Sequence, residues 1–424
     1  MTTKTIAAII TAPGEAAISA IRISGPESWQ IIEKITKKSF KEKEVKLAWI
    51  SDLDQAIVIP FKKPKSFTGE DVIEIHSHGG FLCANKILDL VLESGARLAK
   101  PGEFSQQAVL NGKLDLLKAE AINDLITAKT ELARKNAIEL YQGKLGSNLN
   151  LIRDRLLNLL GAITASIDFP DEVGDYDKES YIKDLNSTIK EINEIIETER
   201  QGEILRTGYK VALVGKPNAG KSTLLNKLLD KERAIVTNIE GTTRDSIEEF
   251  YNLDGFPIIL IDTAGIRESD DTIEKIGIEK SIAIASEADL VLELVDLSNP
   301  SKIEMANALK IGTKLDLAKE TKIETDINIS AHEETNLDKL KEEIKKRINI
   351  VAGAQGSIKI NKRQADLLRQ AAQALERSIA ATDLSEDFWT IDLRNAIHAL
   401  GEITGETLTE EILDNIFSRF CIGK

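Results

Sequence analysis

The sequence predicts a multidomain α/β protein in which a nucleotide domain interrupts a helical one. Three observations predict it. A short apolar, β-favouring run, Lys210 to Val214, leads into a glycine-rich loop and then a helical stretch. Helical periodicity fills residues 116–200 and returns after Asn361, on either side of that loop. Residues 1–115 mix short strand-like runs with one helical stretch, an α+β pattern.

In chain order, Ile18 to Ile23 (ISAIRI) and Val72 to Ile75 read as strands, and Ser24-Gly25-Pro26 as a turn. Cys83 to Glu93 has helical spacing. His76 and His78 stand just before Gly79-Gly80. They are metal-ligand types, but no further His or Cys lies at suitable spacing, so a strand-to-helix turn is the better reading.

From Leu116 onward the pattern is helical. Ile152, Leu156, Leu159 and Ile163 share a face, as do Ile182, Leu185, Ile189, Ile192 and Ile196. Asp168-Phe169-Pro170-Asp171-Glu172 breaks the run and opens a polar loop. After Asn361 the positions Ala365, Leu368, Ala372, Leu375 and Ile379 fall in line again. The economical division is therefore 1–115, an α+β domain; 116–205, a helical domain; 206–350, the inserted nucleotide domain; and 351–424, the second part of the helical domain.

The loop Gly215-Lys216-Pro217-Asn218-Ala219-Gly220-Lys221-Ser222 fits the phosphate-binding pattern G-x-x-x-x-G-K-[ST]. Its chemistry requires that order. Gly215 and Gly220 let the backbone approach a polyphosphate, and successive N–H groups with the helix N-terminus then face the anion. Lys221 reaches the β- and γ-phosphates, and the Ser222 hydroxyl is placed for Mg²⁺, with Thr223 following in the helix.

Three later stretches choose the nucleotide. Asp262-Thr263-Ala264-Gly265 closes an apolar strand, Ile258 to Ile261. Its Asp serves Mg²⁺ through water, and its Gly N–H senses the γ-phosphate. In Thr313-Lys314-Leu315-Asp316, the carboxylate accepts two hydrogen bonds from a guanine edge, which adenine cannot donate. The Lys314 stem lies across the base, and Ser330-Ala331 closes the pocket with N–H groups. In this order, with strands before them, the motifs specify GTP.

Composition sets bounds. The chain has 424 residues, enough for two to four domains, and 42% hydrophobic content. A net charge of −14 argues against a surface that coats nucleic acid, so any RNA contact is a local patch or is shared with a partner. Two cysteines, Cys83 and Cys421, fit a reducing, cytoplasmic setting and exclude a disulfide framework. No apolar run approaches transmembrane length, and the opening MTTKTIAAIITAP does not read as a signal peptide.

With these motifs in view, the chain resembles the bacterial tRNA-modification GTPases of the MnmE/TrmE type along nearly its whole length. The matching stretches are Ile21 to Gly25, Phe67 to Gly80 (FTGEDVIEIHSHGG), Pro101 to Ser105 (PGEFS) and Asn111 to Ile126 (NGKLDLLKAEAINDLI). DFPDE, GKPNAGKSTLLN, EGTTRD at Glu240 to Asp245, DTAGIR and GEITGE at Gly401 to Glu406 follow, and the terminal Cys421-Ile422-Gly423-Lys424 completes the series. GTPase motifs are shared by many families. The Cys-Ile-Gly-Lys terminus joined to this N-terminal domain is far more specific.

The resemblance implies more than the motifs do. Such proteins act with an FAD-dependent partner of the MnmG/GidA type. Together they build an aminomethyl or carboxymethylaminomethyl group on C5 of the wobble uridine (position 34) of certain tRNAs. FAD thus enters only through the partner. By resemblance the N-terminal domain is a folate-binding and dimerisation domain, giving a homodimer and a heterotetramer with the partner. The 5-formyltetrahydrofolate contacts carry over to Arg22, Glu74, Lys113 and Lys424. Carboxylate to pterin N–H edge and cation to folate carboxylate are sensible pairings. The plainer reading of Arg22 and Glu74 is an ion pair on a strand surface.

In the GTPase part the resemblance assigns switch I to Thr237, Asn238, Ile239, Glu240, Gly241, Thr242 and Thr243. Thr243 completes Mg²⁺ coordination beside Ser222. Asn218 ligates K⁺ with carbonyls near Thr237, Ile239 and Thr242, and K⁺ takes the place of an arginine finger. Glu274 is the catalytic glutamate acting on the attacking water. The position after Gly265 is Ile266, which has no polar atom to hold that water; Arg244 and Arg267 are the other candidates for charge stabilisation. Cys421 is a candidate nucleophile near the C-terminus, or a packed apolar residue.

Two departures from the family stand out. Thr313 occupies a position usually held by Asn; Thr serves there in some other GTPases, so guanine selectivity should survive with altered affinity. The stretch between Asp296 and Thr313 is short for a strand–helix–strand unit, so one helix is expected to be trimmed. Two other functional classes compete: an RNA-binding assembly GTPase, which would favour a basic appendage, and a dimeric GTP-gated scaffold without chemistry of its own.

Overall fold

The computed structural model describes residues 4–174, 176–232, 247–262, 286–299, 307–318, 323–348, 358–406 and 410–423. These divide into two compact units. One comprises Met1–Asn123, Tyr141–Leu157 and Ile397–Lys424; the other comprises Asp124–Leu140 and Asn158–Ala396.

The first unit is built on a six-stranded sheet. Its strands are β1 (Ile6–Ile9), β2 (Ile18–Ser24), β3 (Lys46–Ile50), β4 (Asp54–Phe61), β5 (Val72–His78) and β6 (Arg97–Leu98), in the spatial order β3-β4-β5-β2-β1-β6. All neighbours are antiparallel except β1 and β6. Helices α1 (Ser28–Thr36) and α2 (Phe81–Glu93) cover one face. There Ile21, Ile23, Ile73 and Ile75 of the strands meet Ile31, Ile32, Ile87 and Val91 of the helices. Each fully buried isoleucine stabilises the unit by about 1.5–3 kcal/mol relative to exposure. Both strands expected here, the helix and the turn at Ser24-Gly25-Pro26 are present; Gly25 has a φ of 133° and its carbonyl accepts from the Ser28 N–H.

Helices α3 (Glu103–Leu110) and α4 (Leu116–Thr127) follow. Val109, Leu116 and Ala119 bury against Leu413, Phe417 and Phe420 from the C-terminal end of the chain. That end closes on the sheet. The Gly102 N–H donates to the Cys421 carbonyl, and a Cβ on Gly423, whose φ is 95°, would lie 2.6 Å from the Ile9 carbonyl oxygen.

Then come α5 (Glu131–Tyr141), α6 (Lys144–Asp168), α7 (Pro170–Val173), α8 (Lys178–Ile196) and α9 (Glu199–Thr207). The break at Asp168-Phe169-Pro170 is real, but it opens a single helical turn with Pro at its start rather than a loop. Asp177 caps α8 by accepting from the Glu179 and Ser180 N–H groups, and Asn361 opens the helix Lys362–Ala380 with a capping box to Gln364. These two helices pack together, with Tyr181 hydrogen-bonded to Ser378, and Tyr181 also stacks 4.9 Å from Trp389 of the next helix, Glu386–Thr404. The buried face of α8 starts at Tyr181 and includes Thr188, whereas Ile182 and Ile196 are only half-buried. The aromatic ring at 181 is the larger apolar group, so it turns inward.

The helical layer is therefore discontinuous in sequence. Its two halves meet where the chain leaves and returns. Ile360 N donates to Thr198 Oγ1, Lys362 N donates to Glu203, and a Cβ at Gly202 would lie 2.0 Å from the Ile360 carbonyl. Between them runs a second six-stranded sheet. Its strands are β7 (Tyr209–Gly215), β8 (Ile247–Leu253), β9 (Phe256–Asp262), β10 (Leu290–Asp296), β11 (Leu309–Thr313) and β12 (Ile327–Asn328), in the order β12-β11-β10-β7-β9-β8. Every described pairing is parallel except β8 with β9. Helix α10 (Lys221–Glu232) follows β7, and the helix Leu337–Ile348 follows β12. Strand β7 is apolar from Val211 to Val214 because it is covered on both faces there: Val211 and Leu213 on one, Ala212 and Val214 on the other. The helix expected to be trimmed between β10 and β11 falls on residues 300–306, outside the described ones.

Candidate functional site

Strand β7 lies between β10 and β9, where the strand order reverses. Parallel α/β sheets open a crevice at that point, beyond the strand C-termini. Residues 215–222 fill it. Asn218 and Gly220 take positive φ values of 64° and 91°, and the Ala219 N–H donates back to the Lys216 carbonyl. Asparagine is among the few L-residues that accept this conformation at low cost.

The glycines have different reasons from those read in the sequence. A Cβ at Gly215 would come 2.7 Å from the Leu294 carbonyl oxygen, so β10 requires that glycine. At Gly220 the nearest atom is Thr313 Cβ at 3.7 Å, so space is adequate and the positive φ is what demands glycine.

Lys221 is buried, and its ammonium donates to the carbonyls of Gly215 at 2.6 Å and Lys216 at 3.0 Å. It thus arches over the loop, with its charge at the concave face where N–H groups and the start of α10 gather. Asp262 ends β9 opposite Leu213, on the same edge of the sheet.

The second wall is the strand end of β11. Thr313 is buried, and its hydroxyl lies 2.7 Å from the Ala219 carbonyl oxygen and 3.2 Å from that of Val295. Lys314 follows with φ 56°, and its ammonium donates to Asp296 at 2.6 Å. Burial pushes the Asp296 carboxyl up, but hydrogen bonds from Lys314 and Ser298 outweigh it and hold the group below its ordinary range. Asp316 accepts from the Ser330 hydroxyl at 2.6 Å, and that bond lowers the pKa of this exposed carboxylate. Ser330 is itself fixed, because its oxygen accepts from the Glu333 N–H and its backbone pairs with Thr335. Ala331 follows directly.

The structure therefore brings Asn218, Ala219, Gly220, Lys221, Ser222 and Thr223 together with Asp262, Thr313, Lys314, Asp316, Ser330 and Ala331. Thr237, Asn238, Ile239, Glu240, Gly241, Thr242, Thr243, Thr263, Ala264, Gly265, Glu274 and Lys424 lie outside the described residues. Sequence reasoning missed Asp296 as the anchor of Lys314. Its signal was an acid closing the apolar strand LVLELVD.

In the first unit, Arg22 and Glu74 face each other across β2 and β5. The guanidinium donates twice to Glu74 Oε1, at 2.8 and 3.0 Å, so they do form the ion pair of the plainer reading. Two features exceed it. Arg22 Nη1 is buried without a hydrogen-bond partner, and the guanidinium sits 4.8 Å from the Phe67 ring and 5.5 Å from the Phe104 ring. Lys113 packs beside Gly69, and Asn111 donates to the Thr68 carbonyl in the same loop. The C-terminal return places the exposed Cys421 by Gly102 and the buried Gly423 by β1, the neighbour of β2.

His76 and His78 are taken up locally: His76 contacts Glu74 at 3.3 Å, and His78 pairs with Asp54 at 2.8 Å. Among the described residues no group of three or more His, Cys, Asp or Glu is arranged to hold a metal ion. Burial, with Asp54 adjacent, pushes the Cys83 thiol up, which disfavours it as a nucleophile.

Comparison with known proteins agrees with this geometry. The model of the MnmE helical domain matches residues 116–421, and that of the GTP-binding protein TrmE N-terminus matches residues 5–113. The chain belongs to the MnmE family. The tRNA modification GTPase MnmE of Synechococcus sp. (strain WH7803) is 42% identical over 452 residues, covering 99% of this chain and 98% of that protein. Those of Thermoanaerobacter pseudethanolicus and Aquifex aeolicus are each 41% identical, over 457 and 445 residues, covering 99% of this chain and 99% of each relative. These aligned lengths exceed the 424 residues here, so the relatives carry internal residues that this member lacks.

Proposed function

We propose that this chain is a K⁺-activated GTPase that, with an FAD-dependent partner, forms aminomethyl- or carboxymethylaminomethyl-uridine at the wobble position of certain tRNAs. Family membership makes it a tRNA modification GTPase. The observation that carries the nucleotide part is the pairing of a phosphate loop under Lys221 with the Ser330-oriented carboxylate of Asp316.

The residues fit a guanine nucleotide and its Mg²⁺. The loop and the start of α10 offer N–H groups to phosphate, Ser222 and Thr243 supply Mg²⁺ ligands, and Asp316 accepts from the guanine N1 and N2 edge. Potassium, when bound, supplies positive charge beside the phosphates. Asn218, Thr237, Ile239 and Thr242 hold it in this reading. Glu274 orients or deprotonates the attacking water. We expect K⁺ to accelerate GTP hydrolysis and Na⁺ not to. Glu274→Ala should lower kcat by on the order of 10²-fold with GTP affinity nearly unchanged. Single-turnover hydrolysis in each salt checks this; equal rates for wild type and variant in both salts would remove K⁺ and Glu274 from the mechanism.

The first unit fits a reduced, formylated folate. A buried, unsatisfied guanidinium N–H at Arg22 seeks an acceptor, and the neighbouring rings of Phe67 and Phe104 offer an apolar wall. Glu74 would take the pterin N–H edge, and Lys113 and Lys424 the folate carboxylates. Glu74→Ala should weaken 5-formyltetrahydrofolate binding by roughly tenfold or more, the scale of a lost charge-assisted pair. Calorimetry on the full-length chain tests it, and unchanged affinity would reject the site.

In this reading Cys421 stands by the folate site as a reactive thiol, the chain acts in the cytoplasm as a homodimer, and a heterotetramer forms with the partner. The four segments 1–115, 116–205, 206–350 and 351–424 serve respectively folate binding and dimerisation, helical support, GTP hydrolysis, and the return of the C-terminus. No described helix is long and apolar enough to cross a membrane.

A further inference from the structure

Guanine presents two unlike edges. Its N1–H and N2–H groups donate, whereas O6 and N7 only accept. In the reading above, on which this inference rests, Asp316 takes the donor edge. In that same reading the phosphates lie in the loop at 215–222, and the N7 edge would face the residue that touches both that loop and the base loop. That residue is Thr313, whose side chain meets Gly220 and Ala219 on one side and continues into Lys314 and Asp316 on the other.

A threonine hydroxyl carries one proton. Here both of its neighbours are acceptors: the Ala219 carbonyl at 2.7 Å and the Val295 carbonyl at 3.2 Å. Whichever takes the proton, only lone pairs remain for a third group, and N7 is itself an acceptor. The Lys314 ammonium has three N–H groups, and its head is anchored on Asp296 at 2.6 Å rather than beside the 313 side chain. An asparagine at 313 would differ. Its two N–H groups could serve the Ala219 carbonyl and N7 together.

We propose that Thr313 ties the phosphate loop to the base loop at the expense of reading N7, so that Asp316, held by Ser330, selects guanine without help from the 313 side chain. The site consequently tolerates a carbon at position 7 of the base.

The test is competitive displacement of a fluorescent guanine nucleotide from the full-length chain by GDP and by 7-deaza-GDP. A neutral hydrogen bond changes affinity roughly two- to tenfold. Wild type should bind the two nucleotides within about twofold of each other, below the scale of such a bond. Thr313→Asn should favour GDP by about fivefold. Thr313→Val, which keeps the branched shape and removes the tie, should weaken both nucleotides to the same degree. A wild-type preference for GDP of about fivefold or more would overturn the inference while leaving the GTP site intact. Failure of both nucleotides to bind would overturn the GTP site and the inference with it.

Discussion

Lys221→Ala should lower GTP hydrolysis by on the order of 10²- to 10³-fold without unfolding the chain. The ammonium is buried over the loop and donates to the Gly215 and Lys216 carbonyls, so its position is set before any phosphate arrives. A charge held in place costs no reorganisation when negative charge develops on the transferring phosphoryl group. Removing a preorganised donor of this kind lowers kcat by on the order of 10²- to 10³-fold. The Gly215 and Lys216 carbonyls are left at the loop's concave side, where water can reach them, so the thermal midpoint should move little. Phosphate release measured at saturating GTP checks the rate, and thermal unfolding followed by circular dichroism checks the fold. A near-normal rate would mean that Lys221 has no part in the chemistry.

The second large effect is at Asp316. Its carboxylate accepts from Ser330 on one oxygen and, in the proposed function, from the N1 and N2 groups of guanine. Asp316→Asn replaces one acceptor oxygen by an NH₂ donor. Against the guanine amino group that donor is repulsive, and against xanthine, whose C2 carries a carbonyl, it is complementary. Hydrogen bonds to charged groups contribute about 1.5–3 kcal/mol each. GTP affinity should therefore fall by on the order of 10²-fold, while a xanthine nucleotide gains. The Ser330 bond also fixes the pH behaviour. It lowers the Asp316 pKa, so the carboxylate protonates at a lower pH than an ordinary aspartate. Guanine affinity in the wild type should therefore begin to fall at a lower pH than an unshifted aspartate would give. Displacement titrations with GDP and XDP across pH report both effects. An Asn variant that keeps its guanine preference would show that another group reads the base.

Much of this site is written in short-range chemistry, which is why it could be read without a structure. The run Lys210 to Val214 becomes β7 because its apolar residues suit a strand buried on both faces. The residues after it must form the loop, because Asn218 and Gly220 supply the positive φ that the turn requires. Long-range pairings were less visible. That Thr313 reaches Ala219 depends on β11 and β7 flanking β10, which no local pattern encodes. Asp296 holding Lys314 has the same origin. On α8 the spacing identified the right stripe but misjudged its edge, because Tyr181 competes with Ile182 and wins through its larger ring and its bond to Ser378. In the first unit the Arg22 and Glu74 pairing could be anticipated from two neighbouring strands, but the orphaned Nη1 and the rings of Phe67 and Phe104 are tertiary facts.

In the proposed function, GTP hydrolysis in the 215–222 loop is required for tRNA modification. The most direct test of this requirement is the wobble-uridine profile, by mass spectrometry, of tRNA from cells whose only copy of this protein is wild type or Lys221→Ala. Aminomethyl- or carboxymethylaminomethyl-uridine should be present with the wild type and missing with the variant, although the variant protein is present and folded. A normal level of modified uridine alongside a variant that has lost GTP hydrolysis would contradict the account.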